Sequence, residues 1–239
     1  MTERSRSREA GILGLTLAVG IAGAGMLVGR SLAVMRTADR HVTVRGLSER
    51  EVAADLALWP IVFNATGDDL TAVQGELDRD EATVRSFLTD QGFQPGDVSV
   101  SIPRVTDHQA FGSRGEGAQR YMAEVTITLR SSDVERVRTA MQSSGVLVRQ
   151  GVAVLRSYEY NPQFLFTELE AIKPDMIAEA TRDARRAAEQ FAHDSGSRVG
   201  AIRSAQQGYF TIEDRDAYSP EYKRVRVVTT VQYFLEGGR

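Results

Sequence analysis

The chain has 239 residues, of which 26% are charged and 42% hydrophobic, and its formal net charge is −3. Acidic and basic residues are mixed along its length, which excludes an ordinary nucleic-acid binder, because that class carries a basic stripe. There is no cysteine. Disulfides, thiolate nucleophiles, cysteine metal sites and a lipid-bearing cysteine are therefore excluded, and the composition suits an oxidising compartment.

The first distinctive segment is residues 10–29, which contain no charged residue and only one polar side chain, Thr16. At about 1.5 Å per residue, such a run spans the roughly 30 Å hydrocarbon core of a bilayer. Arg4, Arg6 and Arg8 precede it, and Arg30, Arg36 and Arg40 follow. The pattern predicts a single transmembrane anchor over 10–29, with residues 1–9 cytoplasmic, residues 30–40 a linker and everything beyond outside the cytoplasm. A cleaved signal peptide is the competing reading, with Ala22-Gly23-Ala24 as a small-residue cleavage site. Gly25 and Gly29 form a G-x-x-x-G pair that lets two membrane helices approach closely, which makes them candidate helix-packing residues.

The soluble part alternates strands and helices. Residues 41–46 read as a short strand ending in a glycine turn, and 52–66 as a longer strand covered on both faces, with Pro60 at a bulge or an edge. Asp68 is expected to cap a helix that runs to about Asp90. A turn at 94–97 leads to a strand over 98–102 and then a polar, glycine-rich loop over 107–118. Residues 121–130 alternate as an amphipathic strand. Ser132 and Glu135 then read as a capping box that opens a helix through Val134, Val137 and Met141. A strand over 152–160 precedes a long helical region over 164–194. Its expected inner stripe is Leu165, Leu169, Ile172, Ile177, Ala180, Ala184, Ala188 and Phe191. Two final strands, 209–213 and 224–235, enclose an acidic loop.

The fold class this implies is α+β. An N-terminal transmembrane helix precedes a domain over 41–236 that has a mostly antiparallel sheet. Residues 41–160 supply ferredoxin-like split βαβ elements, and the long helix and final hairpin extend their sheet.

A search for chemistry yields no site. His41, His108 and His193 fall in different elements and in no spaced metal pattern. Glu189 and His193 share a helix face, where an ion pair is the plain reading. Glu213-Asp214-Arg215-Asp216 lacks the glycine and terminal glutamate of a calcium loop. Arg182, Arg185 and Arg186 are interleaved with Glu179, Asp183 and Glu189, as on a charge-paired outer face. Residues 112–117 have glycines but no phosphate-loop lysine, and no serine lies in G-x-S-x-G. No catalytic residue, metal or cofactor is expected.

Three stretches carry a family resemblance. They are Val42-Thr43-Val44-Arg45-Gly46-Leu47-Ser48-Glu49 with Val52 and Asp55; Ala180, Ala184-Arg185, Ala187-Ala188-Glu189 and Phe191-Ala192 with Gly196 and Val199-Gly200; and the valine-rich residues 225–235. In order and spacing they resemble the SIMPL-domain family, whose bacterial members include periplasmic immunogenic proteins. The resemblance implies an exported α/β domain that is often oligomeric, in some members a ring, with a loose association to oxidative or envelope stress and no agreed reaction. The expected function is a membrane-anchored, non-enzymatic, homo-oligomeric scaffold of the bacterial inner membrane with a periplasmic domain. The alternatives are a small-molecule binder or enzyme with a site at a subunit boundary, and a regulator that binds another envelope protein.

Overall fold

The computed structural model describes residues 20–26, 40–110, 119–155 and 160–237. Ten strands are present among them: β1 (His41–Ala53), β2 (Leu56–Gly67), β3 (Val98–Val100), β4 (Arg104–Asp107), β5 (Tyr121–Ser131), β6 (Val154–Leu155), β7 (Gln163–Leu165), β8 (Arg198–Gln207), β9 (Thr211–Asp214) and β10 (Tyr222–Glu236). The helices are α1 (Leu70–Asp90), α2 (Val134–Ser143), α3 (Gly145–Arg149) and α4 (Leu169–Asp194).

The expected transmembrane helix is not supported. Of the run 10–29, only residues 20–26 lie among those described, as a helical stretch with exposed side chains. No helix among the described residues is long and apolar enough to cross a membrane. α4 has the length, at 26 residues, but it carries acidic and basic side chains throughout, and each would be costly in hydrocarbon.

The chain forms two compact units. The larger comprises residues 49–174 and 210–226. Its sheet runs β3-β5-β2-β6, with β4 also on β5 and β7 also on β2. All these pairs are antiparallel. Taken with α1 and α2, this is the split βαβ order, set on residues 56–155 rather than beginning at residue 41. Odd-numbered residues of β2 (Trp59, Ile61, Phe63) and of β5 (Val125, Ile127, Leu129) are buried, as are Val73, Leu77, Val84 and Leu88 of α1. The strand period of two and the helix spacings of three and four bring these side chains into one apolar cluster. Trp59 meets the Phe87 ring edge-on, with centroids 6.5 Å apart.

The smaller unit comprises the described parts of 1–48, 175–209 and 227–239. Here the strands run β1-β10-β8, with β10 and β8 antiparallel. The long helix and last strands were expected to extend the first sheet; instead they build this second one. Met176, Ala180, Ala184, Ala188 and Ala192 are buried at four-residue spacing along α4. The cluster in this unit is Val42, Ala184, Ala188, Val231 and Tyr233. Of the expected stripe, Ala180, Ala184 and Ala188 are buried and Leu169, Ile172 and Ile177 half-buried, while its two ends miss. Phe191 is 51% exposed, and Leu165 belongs to β7, because the helix starts at Leu169. Pro174 sits inside α4 without ending it.

Four local expectations also change. Gly46 lies within the continuous strand β1 rather than in a turn. Asp69, not Asp68, caps α1, its carboxylate accepting from the Ala72 N–H at 2.8 Å. Asp68 instead accepts the Arg120 N–H at 2.9 Å. α2 is capped by Asp133, which accepts from the Arg136 N–H at 3.0 Å, in place of the Ser132 box. The expected strand over 152–160 is confined to Val154–Leu155 among the described residues. The loop residues 111–118 lie outside those described.

Candidate functional site

The helix–strand seam of the smaller unit is the most closely built feature. A Cβ on Gly46 would stand 2.9 Å from the Ala184 Cβ and closer still to the Ala180 carbonyl and the Ala184 nitrogen. Only glycine gives the strand room to lie this close to α4. Polar clamps follow directly after it. The Leu47 N–H donates to Asp183 Oδ2 at 3.0 Å, and the Ser48 hydroxyl donates to Glu179 Oε2 at 2.9 Å. The Leu47 N–H, followed by the Arg186 guanidinium, holds the Asp183 carboxyl below the usual carboxylate range. The quoted family residues Gly46, Leu47, Ser48, Ala180, Ala184 and Ala188 thus meet in one seam with a packing role.

Asp55 does comparable work in the larger unit. Its carboxylate accepts from the Thr167 N–H at 2.9 Å, the Thr167 hydroxyl at 2.9 Å and the Glu168 N–H at 3.0 Å. These donors lie just before the start of α4, so a distant residue of the bend between β1 and β2 supplies its N-terminal cap.

The other residues singled out by sequence do not converge. Gly25 lies in the helical stretch 20–26, with nothing within 4 Å of where its Cβ would be, and Gly29 lies outside the described residues. His41 contacts Arg203, whose Nη1 lies 2.6 Å from Nδ1, and His108 follows the end of β4. Glu189 pairs with Arg185 at 2.9 Å rather than with His193, which lies 3.3 Å from Asp194. Arg186 pairs with Asp183 at 2.9 Å. In the loop after β9, Arg215 bonds Asp216 at 3.0 Å, and Lys223 is paired with Asp214. The Arg215 guanidinium lowers the Asp216 pKa, as Arg120 does for Asp107. Among the described residues, no group of three or more His, Cys, Asp or Glu could hold a metal ion.

Two features escaped the sequence reading. One is β8, exposed along nearly its whole length and placed at the end of its strand order. Its few apolar residues give no amphipathic signal. The other is a cavity of about 380 Å³ in the larger unit, lined in part by Trp59, Ile61 and Leu147.

These features define a mixed α/β protein with mostly antiparallel sheets and tight helix-on-strand packing. The chain belongs to the SIMPL family, described as protein of unknown function (DUF541), whose family model matches residues 42–233. No curated protein matches the chain.

Proposed function

We propose that this chain is an exported, non-enzymatic protein of the bacterial envelope that works by assembling with copies of itself. The observation that carries this reading is β8. Its inner side pairs with β10 from Arg198 to Gln207, and it has no further strand partner among the described residues. A strand at the end of a sheet offers backbone N–H and C=O groups to another chain. Ile202 on this strand is 51% exposed and adds apolar area to such a contact. Arg198 and Arg203, together with the register shifts at Gln232/Tyr233 and Tyr233/Leu235, blunt the edge against open-ended stacking. That combination favours a closed, cyclic assembly over a fibre.

Export is supported by the arginine-bearing start followed by a charge-free run, and by the lack of cysteine. Mass spectrometry of the chain recovered from a periplasmic fraction, together with its native mass, tests both parts. A chain found only in the cytoplasm refutes export, and a monomeric native mass refutes assembly.

A further inference from the structure

β3 stands at one end of the larger unit's strand order, and β4 follows it along the same side of β5. Its register decides where its backbone groups point. Ser101, just past β3, donates its N–H to the Thr126 carbonyl at 2.9 Å. Ser99 stands opposite Thr128 and Val100 opposite Ile127. In an antiparallel ladder, pairs that exchange backbone hydrogen bonds alternate with pairs that do not. Ser99 and Ser101 therefore turn their backbone groups to β5, and the Val100 N–H and C=O point to the outer side of the sheet.

Two features flank Val100 on this edge. Before it lies a notch of about 100 Å³, walled by Leu88, Phe93, Pro95 and Val98. That volume is well below the roughly 300–1,000 Å³ of small-molecule sites and suits a single aliphatic side chain. After Val100 comes Ile102, which is 92% exposed, although isoleucine is among the residues most often buried. Charge is divided in the same way. Asp97 and Arg104 are the only charged residues between positions 94 and 105, and they lie on opposite sides of Val100. The Asp97 carboxylate is held in place by the Gln94 N–H, which it accepts at 3.0 Å.

We propose that this edge pairs with the same edge of a second copy, antiparallel about a two-fold axis at Val100. The two Val100 residues then exchange both N–H···O bonds across the axis. Counting outwards, Ile102 of each copy stands opposite Val98 of the other and fills its notch, and Arg104 comes beside the other copy's Asp97. The patch is thus self-complementary, as a two-fold contact requires. A parallel, in-register pairing would set Asp97 against Asp97, which is unfavourable, and would leave both notches empty. The shortness of β3, and Pro103 with no N–H to donate, keep the pairing from running on along the edge. This surface belongs to the larger unit, whereas the β8 edge belongs to the smaller one, so the inference does not rest on the β8 contact.

Sedimentation of the full chain at micromolar concentration tests it, with Ile202→Lys run alongside to report on the β8 edge. Ile102→Asp, at an exposed position, is expected to halve the wild-type mass with an unchanged melting curve. Arg104→Glu is expected to weaken the pairing by about tenfold, because it sets two like-charge pairs across the axis. Adding Asp97→Lys to Arg104→Glu is expected to restore it. An Ile102→Asp multimer of wild-type mass overturns the inference, whatever Ile202→Lys does, and so does a wild type with an odd number of copies. A mass halved by Ile102→Asp but untouched by Ile202→Lys supports this edge and refutes the β8 contact. Failure of the charge swap to restore pairing, with its melting curve unchanged, overturns the two-fold register.

Discussion

Gly46 and Ala184 are packed backbone to backbone: a Cβ on the glycine would stand only 2.9 Å from the alanine's own Cβ. The contact joins β1 to α4 and explains a glycine in the interior of a strand, where it otherwise weakens the ladder. Gly46→Ala forces strand and helix apart and is expected to lower stability by about 1–3 kcal/mol, the usual overpacking cost. Urea unfolding of the purified chain measures this, and an unchanged midpoint would mean that the seam is looser than described.

The buried face of α4 makes a second prediction. Ala184 and Ala188 are fully buried, so Ala184→Leu or Ala188→Leu is expected to cost about 1–3 kcal/mol. Phe191, although large and apolar, is half exposed, and Phe191→Ala is expected to change stability by less than about 0.5 kcal/mol. Thermal melts of the three variants check the ordering, and a larger loss from Phe191→Ala would contradict the observed phase of the helix.

Asp55 makes a third. Removing its carboxylate leaves the N–H groups of Thr167 and Glu168 without their acceptor, so Asp55→Ala is expected to cost about 1–2 kcal/mol. Thr167→Ala removes only the hydroxyl donor and is expected to cost less. Equal losses in urea midpoints would show that the hydroxyl, rather than the cap, carries the effect.

Asp183 predicts a pH dependence. Its carboxyl is lowered in the folded chain, first by the Leu47 N–H and then by Arg186. A lowered folded value means that the unfolded chain binds the proton more readily. The stabilisation is therefore fully present above the ordinary carboxylate range and is lost as pH falls through the depressed folded value. The side chain is 35% exposed, so solvent screening limits the effect to about 1 kcal/mol or less. Asp183→Asn should be less stable than wild type at neutral pH, with the gap closing as the pH is taken below about 4. A gap that stays constant down to acid pH would show that charge is not involved.

The long amphipathic elements were legible because periodicity alone specifies them. β5 alternates cleanly, and α1 shows apolar residues at helical spacing, so both were found close to their observed limits. Cap positions moved by one residue: Asp68 and Asp69 are chemically equivalent candidates, and only the fold places Arg120 beside the first. β8 was missed because an exposed edge strand needs few apolar residues, and Arg198 to Gln207 contain little that marks a strand. Gly46 read as a turn because glycine signals both a turn and a close approach, and the partner that decides between them lies more than a hundred residues further along the chain. The cavity at Trp59 had no local signature. Pro60 predicted a bulge or an edge, but it stands opposite Thr128 in an unbroken register with β5.

Self-assembly through the β8 edge is the central claim, and sedimentation of the full chain at micromolar concentration tests it most directly. Wild type is expected to run as a discrete multimer. Ile202→Lys, which adds a charge to an exposed edge position, is expected to shift it towards monomer with an unchanged melting curve. A monomeric wild type, or a multimer untouched by Ile202→Lys, would contradict the account.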